Sequence, residues 1–356
     1  MLSSFSVTNG ISQIPAGWLA DRIGPRLLIT MGICGVAIAG ILVGISQTFI
    51  MMIVFLVLMG ITCGGYHPAA TPMVSSLVEP EKQGRALGLH EVGAGTSFFV
   101  APMIAAAIAA TWNWRVSFIG LAVPTLIYGL IFYRIMGRYT GTNQTSQVII
   151  DQGNEIPTAR GRVRRLAAFI TMSVFSGAVI SSAISFVPLY MTDKLNISKQ
   201  VSSSFLSILY SAGLWASPIG GYISDLLGRI PVVLIVNLVA AGAVYLLSWA
   251  SNTVEIGALL FVLGITVFMR MPVAEAYIMG EASPRNRSTI YGIYYCSMTE
   301  TGALLAPLMG FLIEKLDFHT SFTITSVAGV AVTLICALFL WGSRSQQQRP
   351  RDGMYN

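Results

Sequence analysis

Six titratable side chains stand inside long apolar stretches of this sequence, where a charge is costly unless it has a task or a partner. They are His67, His90, Glu91, Arg270, Glu275 and Glu300. A buried carboxylate or imidazole can take up and release a proton, and a guanidinium can bind an anion through its planar fork. The pattern therefore indicates proton handling or ligand binding in apolar surroundings.

Several of these residues also have a purely structural interpretation. Arg270 can bind an anionic substrate, or Glu300 can neutralise it as a fixed internal pair. Glu91 can carry a proton, or it can reach lipid headgroups from near the end of its stretch. His67 can border a cavity opened by the proline that follows it, or it can be a packing residue. The sequence leaves these alternatives open.

Motifs of enzyme chemistry are absent from the sequence. The pair His90-Glu91 lacks a second histidine four residues on, so it is not a zinc-protease motif. There is no phosphate-binding glycine loop and no nucleophile elbow. The four cysteines lack metal-site spacing and are interpreted as packing residues. We expect no enzyme activity, no metal, no cofactor and no ATP motor within the chain.

The composition requires lipid as a solvent. Apolar residues make up 54% of the chain and charged residues 10%, with a mean hydropathy of +0.71. Soluble domains carry about a quarter charged residues, so this chain cannot cover a water-exposed surface. The net charge of +6 is typical of basic loops beside a membrane, and we expect no nucleic-acid partner.

Ten apolar runs long enough to cross a bilayer as helices follow one another along the chain. An eleventh run, at the amino end, is richer in Ser, Asn and Gln, which is typical of a span facing a cavity. The sequence therefore predicts an all-α membrane protein with eleven transmembrane helices. The runs are Leu2–Ala20, Leu27–Ser46, Phe49–Leu77, Ala86–Ala110, Val116–Met136, Leu166–Met191, Val201–Ser224, Pro231–Ala250, Val254–Gly280, Thr289–Ile313 and Ser321–Trp341.

A polar, basic stretch divides these runs into five and six. It predicts a first helical bundle over residues 1–138, a cytoplasmic linker over 139–165, a second bundle over 166–342 and a cytoplasmic tail over 343–356. If the loop with Arg22 and Arg26 faces inward and the loops alternate, sixteen basic residues lie inside and four outside. The positive-inside rule then puts the carboxyl terminus in the cytoplasm.

The two bundles are a repeat at a constant offset of 204 residues. Gly17, Asp21, Gly24, Pro68, Pro80 and Gly88 return as Gly221, Asp225, Gly228, Pro272, Pro284 and Gly292. By the same offset Tyr294 and Tyr295 correspond to His90 and Glu91, which makes both tyrosines site candidates. The run Leu166–Met191 has no counterpart after Met1. We therefore expect a twelve-helix fold whose first helix is missing, through truncation or a misplaced start.

Two loops resemble signature motifs of the major facilitator superfamily of secondary transporters. Gly17-Trp-Leu-Ala-Asp21-Arg22-Ile-Gly24-Pro-Arg26 is similar to the loop between its second and third helices, and Gly221-Tyr-Ile-Ser-Asp225-Leu-Leu-Gly228-Arg229 to the copy in the second half. Glu81-Lys82-Gln83-Gly84-Arg85 is similar to the loop entering its fifth helix. The resemblance implies a conformational latch between the halves; a plain turn is the alternative. The residues assigned to the latch are Gly17, Asp21, Arg22, Gly24, Arg26, Gly221, Asp225, Gly228 and Arg229.

Looser similarities point to drug–proton antiporters and fosmidomycin-resistance-type exporters. They lie in Ser97-x-x-x-Ala101-Pro102, in Tyr66-His67-Pro68 and in Leu89-His90-Glu91-Val92-Gly93. The sequence departs from the antiporter pattern at Val54–Leu58, which is wholly apolar where that branch carries an arginine. This departure puts the usual proton relay in doubt.

The function predicted from these features is secondary active transport by alternating access. We expect coupling to protons and a substrate that is a small organic anion or an amphipathic drug-like solute, with export favoured over import. We expect a monomer in the inner cell membrane, with the bilayer and the solute as its partners. The alternative is a non-transporting remnant or sensor with the same fold.

Overall fold

A computed structural model describes the backbone of residues 2–151 and 160–341 and the side chains of residues 4–138 and 161–340. Every regular element in these ranges is a helix. The helices are α1 (Leu2–Ile23), α2 (Pro25–Ile45), α3 (Phe49–Cys63), α4 (Tyr66–Ser76), α5 (Gln83–Thr111), α6 (Trp114–Asp151), α7 (Arg160–Leu195), α8 (Lys199–Ser204), α9 (Leu206–Ser211), α10 (Ala216–Leu227), α11 (Arg229–Leu247), α12 (Thr253–Glu281), α13 (Arg287–Lys315) and α14 (Phe318–Trp341).

Nine segments of the described chain are long and apolar enough to cross a membrane. They are α2, α3 with α4, α5, α6, α7, α11, α12, α13 and α14. The polar helix α1 falls below this hydropathy criterion. The segment 199–227 is also outside these nine; it consists of the short helices α8, α9 and α10, with a 3-10 turn at Ala212–Leu214 between α9 and α10.

Helices α6 and α7 extend into the predicted linker at 139–165. α6 continues to Asp151 and α7 already begins at Arg160, so both ends of this stretch are helical. Residues 152–159 and the predicted tail at 343–356 lie outside the described residues. At the start of α7, Arg162 and Arg165 lie 3.3 and 3.5 Å from the carboxylate of Glu281. A carboxylate at the end of α12 attracts these arginines and so favours helix over open linker.

The first half (α1–α6) meets the second half (α7–α14) mainly along two helix pairs, α1 with α13 and α5 with α10. Each pair crosses at a glycine of the repeat. A Cβ atom at Gly17 would collide with the carbonyl of Ser288, and one at Gly221 with the carbonyl of Gly84. Small residues allow two backbones to approach this closely, so both crossings depend on glycine.

The offset of 204 residues is preserved in the three-dimensional structure. Gly24 has φ 89° and ψ 149°, and Gly228 has φ 90° and ψ 148°. The 3-10 turns at Pro80–Lys82 and Pro284–Asn286 obey the same offset, and so do both ends of α5 and α13. These turns set the direction in which α2, α5, α11 and α13 leave the same end of the molecule, which we name the clamp end.

We expect Gly24→Ala to lower the thermal stability of the purified protein. Its backbone angles lie in a region nearly restricted to glycine, where another residue costs about 1–3 kcal/mol. A Cβ at this position would meet nothing within 4 Å, so the loss would come from the backbone alone. Unfolding followed by tryptophan fluorescence in detergent measures it. Gly242→Ala, in α11 and equally free of contacts, is the control and should not lower the melting temperature.

Candidate functional site

Asp21 of the first half caps a helix of the second half. Its carboxylate accepts hydrogen bonds from the N–H of Ser288 at 3.1 Å, the N–H of Thr289 at 2.9 Å and the hydroxyl of Thr289 at 2.6 Å. These N–H groups belong to the first turn of α13, which begins at Arg287. A carboxylate at this place satisfies unpaired amides and favours the positive end of the helix dipole.

Asp225 makes the reciprocal contact from the second half to the first. Its carboxylate accepts hydrogen bonds from the N–H groups of Gly84 at 2.9 Å and Arg85 at 3.0 Å, in the first turn of α5. The side chain of Arg85 lies 3.6 Å from the same carboxylate. Gly84 and Arg85 correspond to Ser288 and Thr289 at the repeat offset. Each half therefore caps a helix of the other.

The arginines assigned to the latch behave differently from one another. Arg22 lies over the ring of Trp18, and Arg26 donates to the carbonyl of Tyr133 at 2.7 Å, so both stay within the first half. Arg229 does reach across, donating to the carbonyl of Pro80 at 2.7 Å. Arg22 and Arg26, which the sequence assigned to the latch, therefore make these contacts within their own half, while helix amides satisfy the carboxylates of Asp21 and Asp225.

Two buried carboxylates lie further inside, one from each half. Glu91 of α5 is 1% exposed and neither of its oxygens has a hydrogen-bond partner in the described structure. Glu275 of α12 is 2% exposed and accepts a short hydrogen bond from the hydroxyl of Tyr291. The helices that carry them, α5 and α12, pack against each other. Unpaired buried carboxylates are uncommon and indicate a functional site.

Histidine and tyrosine rings surround this acidic pair. The hydroxyl of Tyr66 lies 3.1 Å from Nε2 of His90, and Nδ1 of His90 lies 3.6 Å from the carboxylate of Glu91. His67 stacks on Tyr295 with ring centroids 4.6 Å apart, while its Nδ1 has no partner. The side chains of Tyr66, His90 and Glu91 thus form a series of neighbouring groups that can exchange a proton, and His67 contacts Tyr295 of the other half. We name this set the central cluster: Tyr66, His67, His90, Glu91, Glu275, Tyr291, Tyr294 and Tyr295.

Six of the eight predicted site residues belong to the central cluster, and the other two lie beside it. Arg270 points towards α7, where it donates to the carbonyl of Ser173 at 2.9 Å. Glu300 lies against Gly10 of α1. Among the described side chains these two form no ion pair, contrary to the structural alternative. Glu91 is too deeply buried to reach headgroups, contrary to the other alternative.

Sequence reasoning missed four polar residues near the site. Tyr66 adjoins His67, and Tyr291 precedes Tyr294 by one helical turn, so their spacing could have revealed both. Gln13 and Asn237 are buried polar side chains in α1 and α11; the amide oxygen of Gln13 and both amide atoms of Asn237 lack hydrogen-bond partners. An amide within an apolar run was the available signal for them.

The sequence that forms these two halves matches a known protein family. The sequence model of the Major Facilitator Superfamily matches residues 1–193 and again residues 166–354. The chain belongs to the major facilitator superfamily. It is therefore a multi-pass membrane protein of a transporter family and not an enzyme.

Relatives and solved structures agree with this assignment. "Multidrug resistance protein MdtG" of Proteus mirabilis strain HI4320 is 25% identical over 97% of this chain and 86% of its own length. The protein of the same name from Escherichia coli strain UMN026 is 23% identical over 98% and 85%. The human organic anion transporter MFSD10 superimposes with a TM-score of 0.76 at 15% identity, covering 94% of this chain and 82% of its own. The Escherichia coli fucose:proton symporter gives 0.71 at 14%, covering 95% and 89%. The last two show likeness of fold.

We expect Asp21→Asn to open the clamp end. The substitution keeps the shape of the side chain but removes its charge, and a hydrogen bond to a charged group contributes about 1.5–3 kcal/mol. A cysteine at Ser288, which is 6% exposed, reports the opening in a background without the four native cysteines. Its labelling by a thiol reagent should become roughly tenfold faster or more.

Asp317→Asn is the matched control for this experiment. Asp317 caps α14 within the second half by accepting from the N–H of Thr320 at 2.6 Å, at the opposite end of the molecule. It should leave the labelling of the Ser288 position unchanged. Equal labelling rates for Asp21→Asn and the unaltered aspartate would show that the carboxylate does not hold the halves together.

Proposed function

We propose that this protein is a proton-coupled secondary transporter that works by alternating access. The observation that carries the proposal is the acidic pair of Glu91 and Glu275, which comes from both halves and is enclosed with unpaired oxygens. Two carboxylates enclosed together repel each other when both are ionised, and a proton relieves the repulsion. Movement of the halves changes this enclosure and so couples the proton to the cycle.

The histidines of the central cluster complete a path for that proton. His90 lies between the hydroxyl of Tyr66 and the carboxylate of Glu91. A neutral imidazole can accept a proton at one nitrogen and release it from the other. This path substitutes for the arginine that the apolar stretch Val54–Leu58 lacks. His67, stacked on Tyr295, supplies a second exchangeable site beside it.

The clamp end is closed in this structure, and we propose that it faces the cytoplasm. Asp21 and Asp225 each bridge the two halves there, so in this state an exported solute can leave only at the opposite end. Uptake of solute from the cytoplasm requires both caps to break, which supports a conformational latch at these aspartates. Basic residues gather in the loops of this end, in agreement with the positive-inside rule.

The substrate we propose is an amphipathic drug-like solute or a small organic anion, moved outward. Relatives named multidrug resistance proteins support export of such solutes. Aromatic rings of the central cluster can contact apolar solutes of varied shape. The same relatives support a location in the inner membrane of a bacterial cell, and we propose a monomer as the working unit.

We further propose eleven spans, five in residues 1–138 and six in 166–342, with a cytoplasmic carboxyl terminus. The polar helix α1 and the interrupted segment 199–227 then count as spans, because both form inter-half pairs and are shielded from lipid on that side. The remnant or sensor alternative is less well supported, since both aspartate caps and the acidic pair are intact.

We expect Glu91→Gln and Glu275→Gln each to abolish uphill transport while leaving downhill exchange. An amide cannot carry the coupled proton, although it preserves side-chain size. Everted membrane vesicles energised by a proton gradient measure uphill transport, with ethidium and carboxyfluorescein as cationic and anionic probes. The exposed Glu314→Gln, with its carboxylate 4.0 Å from Lys315, is the control. Pumping by both variants at the rate of this control would refute the proton assignment.

We expect cysteines at Asn196 and Asn286 to face opposite sides of the membrane. Asn196 follows α7 and Asn286 precedes α13, and both side chains are exposed. In intact cells an impermeant thiol reagent should label position 196 and not 286, and permeabilisation should make both reactive. Labelling of position 286 in intact cells would reverse the proposed orientation.

A further inference from the structure

The second half contains a buried cation without an anionic partner. Arg270 in α12 is 5% exposed. Its one hydrogen bond in the described structure goes to the carbonyl of Ser173, and no described carboxylate lies within ion-pairing distance. A neutral carbonyl does not compensate a full charge enclosed in apolar surroundings. Arg270 therefore requires a further acceptor.

Two neighbouring polar side chains lack partners in the same place. Asn237 in α11 is 1% exposed, and neither atom of its amide group is hydrogen-bonded. The hydroxyl of Ser173 in α7 is buried and also has no partner. Asn237 and Arg270 border one narrow cavity together with Thr266. Since buried polar groups are nearly always hydrogen-bonded, three such groups on three helices point to a ligand.

We propose that a small inorganic anion with the size and charge of chloride binds between Arg270, Asn237 and Ser173. A guanidinium, an amide NH2 and a hydroxyl can all donate hydrogen bonds, and one positive charge matches one negative charge. On the α7 side, the guanidinium lies directly against Gly177, where any Cβ would approach it within 2.7 Å. A side chain at position 177 would collide with the guanidinium, so the absence of a Cβ at Gly177 leaves the space that the guanidinium occupies.

The cavity selects a small anion rather than a transported solute. Its remaining walls are the apolar side chains of Ile180, Val236, Ala240 and Val267. The space between the side chains is too narrow even for a water-sized sphere as they stand, and chloride is larger than water, so binding requires the side chains of Asn237 and Arg270 to move apart. A monatomic anion needs the smallest such adjustment. The anion would join α7, α11 and α12 and belongs to the second half, apart from the central cluster.

Thermal unfolding of the purified, detergent-solubilised protein tests this site. Sodium gluconate is replaced by sodium chloride at constant ionic strength. We expect a saturable rise in melting temperature of roughly 2 °C or more, because a ligand that binds only the folded state stabilises it by mass action. Bromide should reproduce the rise, since it has the same charge and a similar size.

Variants distinguish this site from a general salt effect. Asn237→Asp places a carboxylate beside the guanidinium and should remove the chloride dependence while keeping the protein stable in gluconate. Arg270→Gln and Ser173→Ala should abolish and weaken the dependence, respectively. Arg164→Gln, which alters an exposed arginine at the start of α7, should keep it. The folded Asn237→Asp variant makes the test informative even if Arg270→Gln fails to fold.

Three results would overturn the inference. The first is an equal melting temperature of the unaltered protein in chloride and gluconate. The second is a chloride effect of undiminished size in Asn237→Asp. The third is stabilisation by an organic carboxylate such as benzoate but not by halides, which would assign Arg270 to a transported organic anion.

Discussion

The reciprocal capping of helix termini by Asp21 and Asp225 is the interaction on which the rest of the structure depends. A helix that begins at the end of a bundle has unpaired N–H groups and a partial positive charge. Here the carboxylate that satisfies them comes from the opposite half. The halves are thus joined by a few directional bonds in addition to the packing of α1 on α13 and of α5 on α10. Directional bonds of this kind suit the alternating access proposed above.

The glycines at the crossings make this capping possible. The carboxylates can reach the first turns of α13 and α5 only because Gly17 and Gly221 bring the backbones into contact. Close approach also encloses the acidic pair, so that the closure of the clamp end and the burial of Glu91 and Glu275 are consequences of one geometry. This gives a physical route by which a change in the protonation of the pair can affect the clamp.

The signature loops predicted the family, while apolar runs and the repeat predicted the helices and pointed to most residues of the central cluster. They succeeded because lipid allows few spanning structures and because titratable residues within apolar runs stand out. Contacts between distant segments were not predictable. Nothing in the spacing shows that Tyr291 donates to Glu275, that Arg26 turns back to Tyr133, or that Arg270 lies against Gly177. Polar composition does not by itself end a helix, so the spacing did not show that α6 continues to Asp151 or that α7 begins at Arg160.

The repeat is kept at the clamp end and lost in the centre, and this difference follows from the tasks of the two regions. Capping requires the same aspartate, glycine and helix terminus on both sides, so positions 21 and 225 correspond. In the centre, the residues that correspond to His90 and Glu91 in the repeat are Tyr294 and Tyr295, and the residue that corresponds to Arg270 is Tyr66. A symmetric site would place like charges opposite each other, which is unfavourable in an apolar interior. Tyrosine at the counterparts of His90, Glu91 and Arg270 keeps a hydrogen-bonding group without adding a second charge, whereas the counterpart of Glu275 is Thr71.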